Sequence, residues 1–168
     1  MTSDRATPRR KYDTEKLISM FRMAAELRDK MLAVGFTDNG GAIHSAERIL
    51  NILGLRLKYP ELSHQNNLRR YDWAERSIEA QAALANEGIV TIEHVSPIRD
   101  FTREAIKCVN QGATDDGLKQ FIMAKYRLVL LTRAEALHLN KQNRSKMTDD
   151  RLAGIKLASA KPVELQSK

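Results

Sequence analysis

Four β-branched residues in succession, Ile89-Val90-Thr91-Ile92, interrupt a chain patterned for helix on both sides. Branching at Cβ restricts χ1 and suits a pleated, half-buried surface, so this run predicts a strand. It leads into Glu93-His94-Val95-Ser96-Pro97, where Pro97 cannot continue a paired strand and marks a turn. A second strand is expected at Tyr126-Arg127-Leu128-Val129-Leu130-Leu131, which is short and apolar. Between the two, helical periodicity runs through Ile98, Phe101, Ala105, Ile106 and Val109, halts at Asn110-Gln111-Gly112, and resumes after Thr114 or Asp115 as far as Lys125. Thr132 with Glu135 three residues on forms a capping box that starts a further helix at Arg133, running to about Leu139.

The first 88 residues read as helix. Leu17, Met20, Ala24, Leu27, Met31 and Val34 recur at spacings of 3 and 4, with Asp13 or Thr14 as the N-cap and Gly35 as the stop. Ile43, Ala46, Leu50, Leu53 and Leu57 mark a second helix that Pro60 ends. A third is expected over 72–86, with Trp73, Ala74, Ile78, Ala82 and Ala85 inward and Gly88 at C′. The fold class expected is therefore α+β, mainly α: a helical unit at 13–88, then a ββα module at 89–147 with a helical insertion between its strands. Residues 1–12 and 148–168 read as a flexible basic tail and a C-terminal basic tail. No repeat and no low-complexity tract is present.

With 168 residues, 42% hydrophobic and 29% charged, the chain has the composition of one ordinary globular domain. No apolar run approaches the roughly 20 residues of a membrane span, so no membrane association is expected. Arg5, Arg9, Arg10 and Lys11 near the start are followed by no apolar stretch of a secretory signal, and a cytoplasmic location is the expectation. The single cysteine, Cys108, excludes an internal disulfide and a zinc finger or ribbon. The net charge of +7 is concentrated at the ends: four basic and one acidic residue over 1–12, sixteen of each over 13–132, eight and four over 133–168. Such a distribution suits contact with a polyanion, because Lys and Arg that neutralise phosphates release condensed counterions.

The order strand, Glu-His, connection, strand and capped helix resembles the HNH nucleases and their ββα-metal fold. Glu93-His94-Val95-Ser96-Pro97 matches the acidic-His-x-x-Pro opening of that family, and Leu130-Leu131-Thr132 with Asn143-Arg144-Ser145-Lys146 is similar to its closing segment. The resemblance covers residues 89–147. Two positions depart from the family pattern: Ala136 stands where a ligand is expected, and Tyr126 and Arg127 occupy the neighbourhood of the middle Asn.

Cleaving a phosphodiester near neutral pH calls for a base that activates water, and His94, with an ordinary pKa near 6.5, is the candidate. Oxygen ligands favour a hard cation, Mg²⁺ or Mn²⁺, and Glu93 is the first candidate ligand. Adjacent side chains on a strand point to opposite faces, so the two share a site only if the chain twists or ends there. By the resemblance, the second ligand comes from the closing helix, where His138, Asn140 and Asn143 remain alternatives. Lys141, Arg144 and Lys146 are candidate backbone clamps on DNA. The expectation is a Mg²⁺- or Mn²⁺-dependent DNA endonuclease, with 5′-phosphate and 3′-hydroxyl products implied by the resemblance. The rivals are a nucleic-acid-binding protein of a phage or mobile element whose Glu-His pair is structural, and a helical adaptor. In the adaptor, and in a homodimer formed through the N-terminal helices, the heptad-like stripe from Leu17 to Val34 would be the contact.

Overall fold

The structure, a computed structural model, describes residues 13–159. The tail at 1–12 and the end of the C-terminal segment, 160–168, lie outside the described residues. The elements in order are α1 (Thr14–Ala33), α2 (Ile43–Lys58), a 3₁₀ helix (Gln65–Arg70), α3 (Ile78–Ala85), β1 (Thr91–His94), α4 (Ile98–Asn110), α5 (Asp115–Lys125), β2 (Leu128–Leu131) and α6 (Arg133–Gln142). This is the α+β, mainly α class expected, with two helices inserted between the strands. Among the described residues no helix is long and apolar enough to cross a membrane.

β1 and β2 pair antiparallel, with Thr91 opposite Leu131, Ile92 opposite Leu130, Glu93 opposite Val129 and His94 opposite Leu128. The alternation of a strand then sorts side chains into two cores. Leu128 and Leu130 face the larger core, built from Phe21, Leu50, Leu53, Phe101, Ile106 and Ile122 among others, whereas Val129 and Leu131 face a smaller one with Ala136 and Leu139 of α6. The larger core draws on α1 and α2 as well as on the strands, so the helical half and the ββα half share one interior.

Local chemistry sets most helix ends. Asp13, Thr114 and Thr132 each accept a backbone N–H from the first turn of their helix, and Thr132 completes a capping box with Glu135. Gly35 adopts φ +95° just past α1. At the end of α3 it is Glu87, not Gly88, that takes the left-handed conformation, with φ +57°. The Gly88 N–H then reaches back 2.7 Å to the Ala83 carbonyl, which a Cβ on residue 88 would approach to 2.9 Å.

Three expectations are corrected. The buried face of α1 is Leu17, Ile18, Phe21, Ala24 and Ala25, whereas Leu27 and Val34 are exposed. A 3.5-residue repeat drifts around a straight helix of 3.6 residues per turn, and the flank carrying Phe21 is the one that α2 and α4 cover. The third helix begins at Ile78, with Trp73 and Ile78 exposed and Ala80 buried. Residues 75–77 are instead extended along β2: the Leu130 N–H donates to the Glu75 carbonyl at 2.8 Å and the Ser77 N–H to the Leu130 carbonyl at 3.0 Å. Tertiary pairing here overrides a helical pattern. Finally, residues 148–159 are no tail. The Ile78 N–H donates to the Lys156 carbonyl and the Ala158 N–H to the Arg76 carbonyl, while Leu152, Ile155 and Leu157 pack on the smaller core.

Candidate functional site

The alternation that builds the two cores also divides the Glu-His pair. His94, opposite Leu128, turns toward α2, where its Nε2 lies 2.8 Å from Asn51 Oδ1. The Tyr126 hydroxyl donates to the same oxygen at 2.7 Å, and the Asn51 amide donates to Gln65 Oε1 at 3.0 Å. An amide oxygen only accepts, so Nε2 carries the proton and Nδ1 is the free lone pair of the neutral ring. The imidazole meets the Tyr126 ring edge to face at 5.7 Å. Burial, with the positive charge of Arg151 second, pulls the His94 pKa down to about 4, so the ring is neutral at pH 7.

Glu93, opposite Val129, turns toward α6. Burial raises its pKa, and the charge of Arg151 and a hydrogen bond to Asn140 oppose the rise. The Arg151 side chain, itself buried, fills the angle between β1 and the end of α6. Its Nη1 donates to the His94 carbonyl and, at 3.3 Å, to that of Val95; Nη2 reaches Asn140 Oδ1 at 3.2 Å and Nε the Asn143 carbonyl at 3.1 Å. Nothing in the periodicity of the sequence singles out Arg151, which lies in a polar turn beyond the last recognisable motif.

A groove of about 970 Å³ opens beside these residues, and it gathers much of what the sequence picked out. Glu93, His94, Asn140, Lys141 and Arg144 all line it, joined by Arg99 and Arg103 of α4 and by Arg151. His138 is exposed and does not: it lies two residues from both Ala136 and Asn140, and residues so spaced do not share a helix face. Lys146 is exposed outside the lining, and Asn143 serves as a local cap whose Oδ1 accepts the Lys146 N–H at 3.0 Å. Of the cations, Arg99 pairs with Glu47 at 2.7 Å and Arg103 with Asp38 at 3.0 Å. Lys141 and Arg144 form no ion pair among the described residues.

The donor set beside the groove does not suit a resident Mg²⁺ or Mn²⁺. Among the described residues no three His, Cys, Asp or Glu side chains gather as a metal ion would require. Glu93 and Asn140, the two oxygen donors that do meet, face a guanidinium already bonded to one of them. No protein-family model matches the chain, and neither curated proteins nor solved structures show a match to it.

Proposed function

We propose that the protein binds the phosphodiester backbone of nucleic acid, DNA by its resemblance to the HNH family, in the groove between α4 and the end of α6. The observation that carries this reading is the pair Lys141 and Arg144, which form no ion pair among the described residues, beside Arg99, Arg103 and Arg151 in a groove whose lining, among those residues, has Glu93 as its one acid. Cations from separate elements along a groove neutralise successive phosphates and release counterions, while carrying little sequence information of their own. Fluorescence anisotropy with a labelled duplex over a salt series tests the proposal. Replacing Lys141 and Arg144 together by Glu is expected to weaken binding on every sequence and to flatten the slope of log Kd against log salt by about 1 for each phosphate no longer neutralised. Unchanged affinity and slope in a folded double variant refute it.

A second reading, phosphodiester hydrolysis with His94 as base, rests on Glu93, His94 and Asn140 all lining one groove, though the His94 ring itself turns to Asn51. A neutral imidazole is the form that accepts a proton from water, although a pKa near 4 makes it a weak base. Supercoiled plasmid incubated with the protein, with and without Mg²⁺, separates the readings. Nicking that disappears in His94→Ala while retention on a gel persists supports hydrolysis, and binding without nicking leaves the first reading alone.

A further inference from the structure

We infer that Arg151 is a built-in cation, its guanidinium holding the end of β1 to the end of α6 where a ββα nuclease of this pattern would use a divalent metal ion. Four oxygens from two stretches of chain converge on one buried side chain: the carbonyls of His94 and Val95, the carbonyl of Asn143 and the side-chain oxygen of Asn140. The Glu93 carboxylate adds its negative charge. These are hard oxygen donors around a positive centre, the same donor chemistry that selects Mg²⁺ or Mn²⁺. A planar guanidinium satisfies them through a fan of N–H groups at fixed angles, which a compact ammonium cannot reproduce.

The main chain delivers the cation by a separate route. Residues 152–158 pack on the smaller core and pair with residues 76–78, so the chain following Arg151 is anchored independently of the groove. The ends of β1 and α6 bear Glu93, His94, Asn140 and Lys141, so the arginine positions the groove that its own side chain also lines. Assembly of the groove is therefore independent of metal.

Thermal unfolding of the full chain with EDTA, Mg²⁺ or Mn²⁺ tests this directly. The expected result is one melting temperature in all three. A saturable rise with Mn²⁺ that vanishes in Glu93→Gln would overturn the inference, because it places a metal where the guanidinium is said to be. The complementary arm removes the guanidinium. Arg151→Ala is expected to melt lower and to recover with methylguanidinium, by about 5–10 °C at roughly 100 times its Kd relative to the unaltered protein at the same concentration, which gains no stability from a guanidinium salt. A folded alanine variant that ignores methylguanidinium refutes the cage, since a side chain that only fills space would not be rescued by its head group. Should the alanine variant fail to fold, Arg151→Lys decides: it is expected to melt below the unaltered protein, and equal melting temperatures would sink the requirement for a fan of donors.

Discussion

Acidification through the range 6.5 to 4 titrates His94. Its pKa in the folded protein is about 4 and in the unfolded chain close to the ordinary 6.5, so the unfolded state takes up a proton first. The sign follows: the full stability is present above pH 6.5 and is lost as the pH falls toward 4. The displacement corresponds to about 3 kcal/mol once complete, and about 2 kcal/mol of it has gone by pH 5, at roughly 1.4 kcal/mol per pH unit. Glu93 acts in the opposite sense over the lower part of this range. Its carboxyl is raised by burial, so protonating it favours the folded state as the pH falls. A comparison of variants removes that contribution. Urea unfolding of the protein and of His94→Gln, whose amide can still donate to Asn51 Oδ1, is measured at pH 7.5 and at pH 5. Between those two conditions the unaltered protein is expected to lose about 2 kcal/mol more than the glutamine variant. If the stability difference between the two proteins is the same at both pH values, the imidazole titrates normally and the account of its environment is wrong.

Other perturbations follow from single contacts. Gly54→Ala sets a Cβ far inside van der Waals distance of the Tyr126 ring, and despite a gain of about 1 kcal/mol in helix propensity it is expected to destabilise by roughly 1–3 kcal/mol net in urea titrations. Asp38, held at about 2 chiefly by its hydrogen bond from Arg28 and secondarily by that from Arg103, contributes stability that is present above pH 4 and disappears as the pH falls through 2. Asp38→Asn is accordingly expected to cost about 2 kcal/mol at pH 7 and nothing below pH 2, read from thermal unfolding at both. Thr132→Ala removes one cap of α6 and is expected to cost about 1 kcal/mol. Glu135→Ala is expected to cost about 2 kcal/mol, because the buried Ser77 hydroxyl, which donates to Glu135 at 2.6 Å, loses its acceptor as well.

Local signals carried the secondary structure wherever a residue's own neighbours decide its conformation. The β-branched run at 89–92 begins two residues before β1, which forms at Thr91–His94 with Ile89 exposed, and the run at 126–131 contains β2 at Leu128–Leu131, while of the alternative caps Asp13 and Thr114, with Thr132, are the residues that do cap. Expectations failed where a distant strand competed. Residues 75–77 have a helical pattern, and only the open edge of β2, more than fifty residues on, draws them into extended pairing. The segment 148–159 shows weak periodicity because it is held by main-chain bonds to residues 76–78 and by three apolar contacts rather than by a face of its own.

The candidate site was legible to the extent that it lies on regular elements. Asn140 was one of three alternatives that the resemblance offered, and Lys141 and Arg144 belonged to the basic stretch beyond it; Asn140 and Lys141 lie on α6, Arg144 just past its end, and all three line one groove with Glu93 and His94. The alternation of β1 was also legible, and it is decisive: pairing continues through His94, so the Glu93 head group goes to α6 and the His94 ring to α2. What could not be read is what each head group meets. Asn51 is a polar residue beside the apolar stripe of α2 with no local partner, and Arg151 is one basic residue among several near the C-terminus. Both acquire meaning only when distant chain segments are brought together, Asn51 by satisfying an imidazole 43 residues and a phenol 75 residues away at once, Arg151 by joining the His94 carbonyl 57 residues away to the end of α6. Asn51 thus holds the His94 ring by one nitrogen, and Arg151 sets its charge near Glu93 while bonding the neighbouring Asn140. Lys141 and Arg144, which form no ion pair among the described residues, are the charges on which the proposed backbone contact rests.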